Sequence, residues 1–472
     1  MKIHVLYSNK KYLAHIRYVF ERISDFLGME GVCLVSYDEI SQEAHAPLVV
    51  SYGSEPPAGF TPHIHIKEES SFWQNYLTEK SLPIPPFASW QNLPILFGKK
   101  DRQSQWVEKK GNRIVSCIDI IAGTFFLLSR CEELVIRERD VYKRFPARCS
   151  VLAKAHLLER PVADEYVDLF CSWVGEIVPS FRKKNLPDIS SFVLYITHDV
   201  DSPFKFTWKN VLGLKQPFAR GLRCLLGKEK DPFWTFSDLL SLEKKHGIIA
   251  EYFFLAGGTH PLDRGYSLNQ LIIKELVNKL RRSRCPIGIH FSLSSHLDLF
   301  EAQDLKIAEK GFSRELGCFR EILNFSPTGS RQHYLGLSIP ETWRILSNLG
   351  ISFDTSAGFA ESPGFRCGTC RAFPCFDAQK GEPLPLLEIP LIAMDAGFIH
   401  YLKLTPQEAL LKMNELVDTV IRHNGIFTLL WHNNTMSEED FPGWGGIYQA
   451  FLEECKKKKP LLVHPAEYFR RD

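Results

Sequence analysis

Two acids separated by one residue, Asp199 and Asp201, follow directly on an apolar run, Phe192-Val193-Leu194-Tyr195-Ile196. The β-branched and aromatic content of that run predicts a short strand buried on both faces. Side chains alternate along a strand, so the two carboxylates point to one side while His198 and Val200 point to the other. Acids at the mouth of a buried strand are costly unless a cation compensates them, and a metal ion is the usual compensation. A turn or helix cap ahead of Pro203 is the plainer alternative for an isolated D-x-D.

Further along the chain, apolar runs recur and several of them end in chemically competent residues. Pro286 to Phe291 carries His290 and is followed by Ser294 and His296. Gly329-Ser330-Arg331-Gln332-His333-Tyr334 sets a guanidinium at a comparable position, Ile351-Ser352-Phe353 ends in Asp354, and Ile426 to Trp431 ends in His432. Each of these alone reads as a hydrogen-bonded core residue or a surface ion pair. Their recurrence at successive strand ends is what distinguishes them.

The elements that must position these residues follow from the same pattern. Apolar strand-like runs at 192–198, 249–255, 286–291, 351–353, 387–392, 426–431 and 460–463 alternate with helical segments over roughly 280 residues. This predicts a parallel sheet or a (β/α) barrel, whose chemistry sits at the C-terminal ends of the strands. Residues 1 to about 185 read as a separate mixed α/β region, with an amphipathic helix over Lys11–Leu27, strands near Val32–Val35 and Leu48–Tyr52, and one apolar helix over Ile118–Glu133. A polar stretch ending in proline, Lys183-Lys184-Asn185-Leu186-Pro187, marks the expected boundary and gives domains of 1–187 and 188–472. A chain of 472 residues exceeds what one core usually supports, in keeping with two domains.

Composition narrows the function classes. Lys and Arg number 57 against 55 Asp and Glu, a balance that argues against a nucleic-acid or membrane-surface protein working by bulk charge. The start of the chain reads as a strand rather than an export signal, and the longest apolar segment, Ile114 to Ser129, is broken by Asp119 and too short to span a bilayer. The twelve cysteines are scattered, mostly within apolar runs, which suits thiols in a reducing cytoplasm. Cys367-Gly368-Thr369-Cys370 has no second CxxC, so a zinc knuckle is not expected there. A cytoplasmic protein is the expectation.

The combination of His198-Asp199-Val200-Asp201, Ser330-Arg331-Gln332-His333-Tyr334 and Phe365-Arg366-Cys367-Gly368-Thr369-Cys370-Arg371 resembles the polysaccharide deacetylase (NodB-homology) superfamily. Within it the chain is similar to a bacterial subgroup carrying an extra N-terminal domain, whose companion region resembles Asp119–Glu133 and Arg144-Phe145-Pro146-Ala147. The resemblance covers roughly residues 190 to 472. It implies an α/β fold, with a C-terminal distorted (β/α) barrel of the polysaccharide deacetylase type and an N-terminal mixed α/β domain.

It also implies a metal-dependent hydrolase that removes an N-acetyl group from a sugar or glycan. Asp199 matches the base, Asp201 the carboxylate ligand, His290 the first histidine ligand, and Arg331 the cation that keeps the base ionised. Tyr334 matches the donor of a backbone N–H to the oxyanion, and His432 the general acid. Leu430 and Trp431 match the walls of an acetyl pocket, and Asp354 an acid supporting the arginine. The superfamily spaces its two ligand histidines four residues apart, but the fourth residue after His290 is Ser294. The third ligand is therefore expected to be His296, with Ser294, a water or no ligand as alternatives. Histidine and carboxylate ligands favour zinc. A barrel that has lost its metal and serves in carbohydrate binding or scaffolding is the competing reading. His198 is expected in the core and His333 is open between sugar contact and an ordinary loop. Glu388 has no assigned role, and Trp208, Trp234 and Phe365 are candidate faces for a sugar ring.

Overall fold

The structure, a computed structural model, describes residues 2–37, 48–53, 56, 61–100, 102, 104–179, 192–212, 218–263, 265–301, 305–327 and 329–465, with only the backbone of 209 and 210. The boundary stretch Lys183–Pro187 lies outside the described residues. Two compact units account for the chain. One takes the described residues of Met1–Glu138, Phe145–Ile189 and Phe365–Pro385; the other takes those of Arg139–Arg144, Ser190–Gly364 and Leu386–Asp472. The chain thus changes units more often than a single linker implies: a short segment, 139–144, belongs to the second unit, and 365–385 to the first.

The first unit holds a six-stranded sheet. Its strands are β1 (Ile3–Tyr7), β2 (Val32–Ser36), β3 (Val49–Gly53), β4 (Ile64–Lys67), β7 (Val107–Lys110) and β8 (Arg113–Ser116), in the order β2-β1-β3-β4-β8-β7. All neighbours are parallel except β7 and β8, which are antiparallel. A separate hairpin pairs β5 (Ala88–Trp90) with β6 (Leu93–Ile95). The helix over Leu13–Phe26 buries Ile16, Val19, Phe20 and Ile23, the apolar face that the sequence predicts.

The apolar helix expected over Ile118–Glu133 is two helices, Ile120–Leu128 and Cys131–Val135. They break at Arg130, which is left-handed with φ 53°. This conformation is costly for a residue with a Cβ. It is offset by placing the fully buried guanidinium on Glu132 at 2.6 Å and Glu133 at 2.8 Å, where Arg366 also bonds Glu133 at 2.7 Å. A buried charge must be paired, and here the pairing fixes the break. The twelve cysteines are all free thiols, Cys367, Cys370 and Cys375 being buried. No helix among the described residues is long and apolar enough to cross a membrane.

The second unit is a curled half-barrel of parallel strands. Its strands are β9 (Val193–Val200), β10 (Glu251–Leu255), β11 (Ile287–Phe291), β12 (Gly329–Gln332) and β13 (Phe353–Asp354). The segment 365–385 contains β14 (Phe373–Asp377) and the start of β15 (Glu382–Glu388), whose last residues belong to the second unit; β16 (Ala393–Met394) and β17 (Ile426–Leu430) follow. The order β15-β13-β12-β11-β10-β9-β17-β16 puts β9 beside β10 and β17. Among the described residues no ladder joins β16 back to β15, so the sheet is an open arc rather than a closed ring. The run at 460–463 contributes only an isolated bridge, Val193 to Leu461. The short strands β12 and β16, which hydropathy does not announce, are polar or two residues long.

Registers bring the strand ends level: Asp199 opposes Phe253, His290 opposes Arg331, Ser330 opposes Asp354, and Thr197 opposes Leu430. Every chemically competent residue named above therefore leaves the sheet at one edge.

Asp119 supplies a test of the first unit. It caps the helix Ile120–Leu128 by accepting from the Ala122 amide at 2.9 Å, and it also accepts from the Tyr52 hydroxyl and the Glu69 amide. Burial pushes its carboxyl up to about 7 despite those donors. An unfolded Asp releases its proton near ~4, so folding takes up a proton between the two values and stability falls as pH rises across that window. Asp119→Asn keeps one of the two acceptor oxygens, at a cost in stability that does not vary with pH, and loses the titration. The expected outcome is a flatter dependence of the thermal midpoint on pH between 5 and 8 for the variant; parallel curves would refute it.

Candidate active site

Asp201 stands at the centre of the site. Its Oδ1 lies 3.2 Å from His290 Nε2 and 3.7 Å from His333 Nε2, and its Oδ2 lies 3.5 Å from His432 Nε2. Asp199 reaches the same group, with Oδ2 3.6 Å from His290 Nε2 and 3.7 Å from Arg331 Nη1. Asp201 keeps 26 % of its side chain exposed, whereas His290 and His333 keep 1 and 3 %. The site opens over Asp201 and is closed below it.

Both histidines are locked from behind. His290 donates its Nδ1–H to the Arg331 carbonyl at 3.0 Å, and His333 Nδ1 pairs with Asp263 Oδ1 at 2.8 Å. A neutral imidazole whose Nδ1–H is so engaged presents its Nε2 lone pair, here toward Asp201. Carboxylate and carbonyl acceptors behind ligand histidines are the usual means of fixing tautomer and ring orientation at a metal. Asp201 Oδ1, Asp199 Oδ1 and His290 Nε2 are buried without a hydrogen-bond partner, a costly arrangement unless a cation meets them. One ligand atom from each of Asp201, His290 and His333 lies within 4.8 Å of the others. The residues fit a divalent ion with two nitrogen donors and one carboxylate.

His296, the expected third ligand, is elsewhere. The chain enters the helix Leu293–Glu301 directly after β11, and His296 is carried round that helix to pack against Phe300 and the Gly336 backbone. Burial pulls its imidazole down to about 4. Ser294 is also committed, its hydroxyl donating to Asp263 Oδ2 at 2.7 Å. The place is taken by His333, which leaves the adjacent strand end beside His290; their ring centres are 5.0 Å apart.

Burial opposes the charge on Asp201, but His333, His290 and His432 outweigh it and hold its carboxyl well below the usual carboxylate range. Burial likewise works against an imidazolium at His290 and at His432. The neighbouring acids, Asp199 and Asp201 for the first and Asp395 with Asp201 for the second, raise both above the ordinary histidine value. Asp395, fully buried, accepts from His432 Nδ1 at 2.6 Å, the His432 amide at 2.8 Å and the Thr435 hydroxyl at 2.6 Å. That grip leaves His432 Nε2 as the free end, facing Asp201.

The remaining expected residues divide. Arg331 is fully buried with Nη2 on the Thr197 and Thr355 hydroxyls, so Nη1 is left toward Asp199. Asp354 does not hold that arginine by a hydrogen bond. It accepts from the Ser330 hydroxyl, the Gln332 amide side chain and the Ser356 N–H, which brace β12 against β13. Leu430 joins Leu335, Ala360 and Leu391 in a small apolar cluster with Met394 against it. Trp431 points the other way, stacked on Tyr448 with ring centres 4.9 Å apart, because the next residue on a strand faces the opposite side. It is not a wall of the cleft. His198 faces away from the acids, bonded to the Trp431 carbonyl at 2.5 Å and to Glu243 at 2.6 Å. Glu388 accepts from the Trp343 indole and the Ala357 amide, and Phe365 is fully buried in the first unit.

Tyr334 follows His333 in a left-handed conformation, φ 59°, and Leu335 repeats it at φ 55°. Sequence reasoning did not assign His333, Asp263 or Asp395. Asp395 follows the two-residue β16 and carried a readable signal, a carboxylate at a strand end. Asp263 sits on a single 3-10 turn, Pro261–Asp263, which has no periodicity to read.

Comparison with known proteins adds the following. The model of a family described as of unknown function (DUF7033) matches residues 4–179. No curated protein matches the sequence. Solved structures similar to this one include a candidate polysaccharide deacetylase from Mycobacterium smegmatis, 16% identical, covering 61% of this chain and 92% of that chain, with a TM-score of 0.44. The Puue allantoinase is 12% identical over 61% of this chain and 94% of that one, TM-score 0.42. The chitin deacetylase of the fungal pathogen Colletotrichum lindemuthianum is 13% identical over 58% and 90%, TM-score 0.33. At these values no residue role passes from them to this chain.

The two candidate third ligands can be separated by zinc titration of the purified protein. His333→Ala is expected to lower zinc affinity by more than about a hundredfold, as loss of a direct ligand should exceed the ~10–100-fold typical of supporting residues. His296→Leu, which keeps the packing beneath Gly336 but offers no donor atom, is expected to bind zinc like the parent; the reverse result would restore His296 as the ligand.

Proposed function

We propose that the protein is a metal-dependent hydrolase that removes the N-acetyl group of a sugar or glycan. The observation that carries this reading is the pair of histidines locked at Nδ1 with both Nε2 atoms turned to Asp201, flanked by Asp199 on one side and His432 on the other. The carbohydrate substrate comes from the sequence resemblance, which the motif residues carry. Asp201, His290 and His333 would hold the ion, with zinc favoured by the donor set. When bound, a divalent ion there supplies Lewis-acid polarisation of the amide carbonyl and a more acidic water.

The chain's own residues supply the rest. Asp199 takes the proton of the attacking water, and its unpartnered Oδ1 is the atom free to do so. Arg331 Nη1, 3.7 Å from its Oδ2, sets a buried cation beside that carboxylate and orients it. His432 gives a proton from Nε2 to the leaving nitrogen, and Asp395 fixes its ring and stabilises its charged form. The amide of Tyr334 donates to the carbonyl oxygen as negative charge develops there. Leu430, Leu335, Ala360 and Leu391 form an apolar surface suited to a methyl group, and they exclude water from it.

The test is acetate release from a panel of N-acetylated sugars and short glycans by the zinc-loaded protein. Asp199→Asn and His432→Ala are each expected to lower kcat by about 10²–10⁴-fold, the range for a positioned base or acid. Stoichiometric zinc with no acetate from any member of the panel would overturn the reading.

A further inference from the structure

We propose that Arg144, on the short segment Arg139–Arg144, is a positioning residue that holds the turn carrying His333 and Tyr334. Arg144 is 7% exposed and its guanidinium joins three parts of the second unit. It pairs with Asp140 at 2.7 Å, donates from Nη1 to the Tyr334 carbonyl at 2.9 Å, and donates from Nη2 to the Tyr401 hydroxyl at 3.2 Å. The aromatic ring of Tyr142 lies between, 4.9 Å from the guanidinium carbon and 4.7 Å from the ring of Tyr334.

The need for such a clamp is local and physical. Tyr334 and Leu335 are consecutive non-glycine residues at positive φ, each a conformation costing about 1–2 kcal/mol and held only where surroundings enforce it. The Gly336 amide closes the turn on the His333 carbonyl at 3.1 Å, and His296 fills the space beneath Gly336, where a Cβ would lie 2.7 Å from the imidazole. Arg144 is the charged donor to the carbonyl at the strained residue. A bond of that kind is stronger than a neutral one and directional. Freed from it, the Tyr334–Leu335 peptide can rotate, and the turn no longer fixes the direction of the preceding Tyr334 amide or of the imidazole facing Asp201.

The conformational part stands on contacts alone; its consequence for metal and catalysis rests on the function proposed above. The test therefore has two readouts on the full chain. Hydrogen exchange of peptides covering 332–337 is expected to accelerate about tenfold or more in Arg144→Ala, as loss of a bond to a charged donor predicts. Arg144→Lys, which still reaches one carbonyl, should recover part of that protection. Zinc affinity should fall about 10–100-fold in Arg144→Ala and recover partly in Arg144→Lys, with kcat falling more than KM rises. Unchanged exchange over 332–337, or faster exchange spread evenly along the chain, overturns the proposal. If the parent protein binds no zinc, the functional reading fails while the exchange result still decides the role of Arg144.

Discussion

Everything at the open edge of the second unit depends on how the charge of Asp201 is met. A carboxylate three-quarters withdrawn from water needs partners, and three imidazoles converge on it from three different strand ends. Such convergence requires level strand termini, and the parallel register provides it by aligning His290 with Arg331 and Asp199 with Phe253. It also requires that the imidazoles not turn away. The Arg331 carbonyl, Asp263 and Asp395 each hold one Nδ1, so the three Nε2 atoms are the only ends left to face inward. The same three hydrogen bonds thus satisfy buried polar groups and define the direction of the chemistry.

The supporting residues form a second ring, and its members serve two purposes at once. Asp263 receives His333 Nδ1 together with the Leu293 and Ser294 amides at the start of the next helix, so ligand orientation and helix placement are one event. Arg331 gives its carbonyl to His290, its Nη1 to the face of Asp199, and its Nη2 to Thr197 on β9. His198, on the far side of the same strand, ties β9 to the Trp431 carbonyl just before His432. Strand pairing, the orientation of His290 and the placing of His432 are therefore coupled through a few side chains.

How much of this is legible in the sequence follows from the range of each signal. The acids after β9 and the histidines closing β11 and β17 are readable because an apolar run announces each strand and its end. The Asp201–His290–His333 group is readable only to two members. Spacing along the chain points from His290 to His296, but the helix that starts at Leu293 turns His296 under Gly336, and the nearer histidine comes from the neighbouring strand. That strand, β12, is Gly-Ser-Arg-Gln and has no hydrophobic pattern to reveal it. Trp431 departs from expectation for the opposite reason: the apolar run is easily read, but the alternation of sides turns Trp431, next after Leu430, onto Tyr448. The break at Arg130 needs Arg366, more than two hundred residues away, and no local window contains it.

Protons and a cation compete for the same atoms in this cluster. Asp201 is held charged and His290 and His432 are held basic by one another, so the acids and imidazoles already share charge across the positions a divalent ion would occupy. Ligand histidines must be neutral, so binding an ion at His290 displaces a proton that Asp199 and Asp201 favour. His432 is different. Its ring is also gripped by Asp395, a buried carboxylate outside the Asp201–His290–His333 group, so its charged form has a partner besides Asp201. His290 and His432 thus face one carboxylate with different groups behind them, the Arg331 carbonyl behind the first and the buried acid Asp395 behind the second.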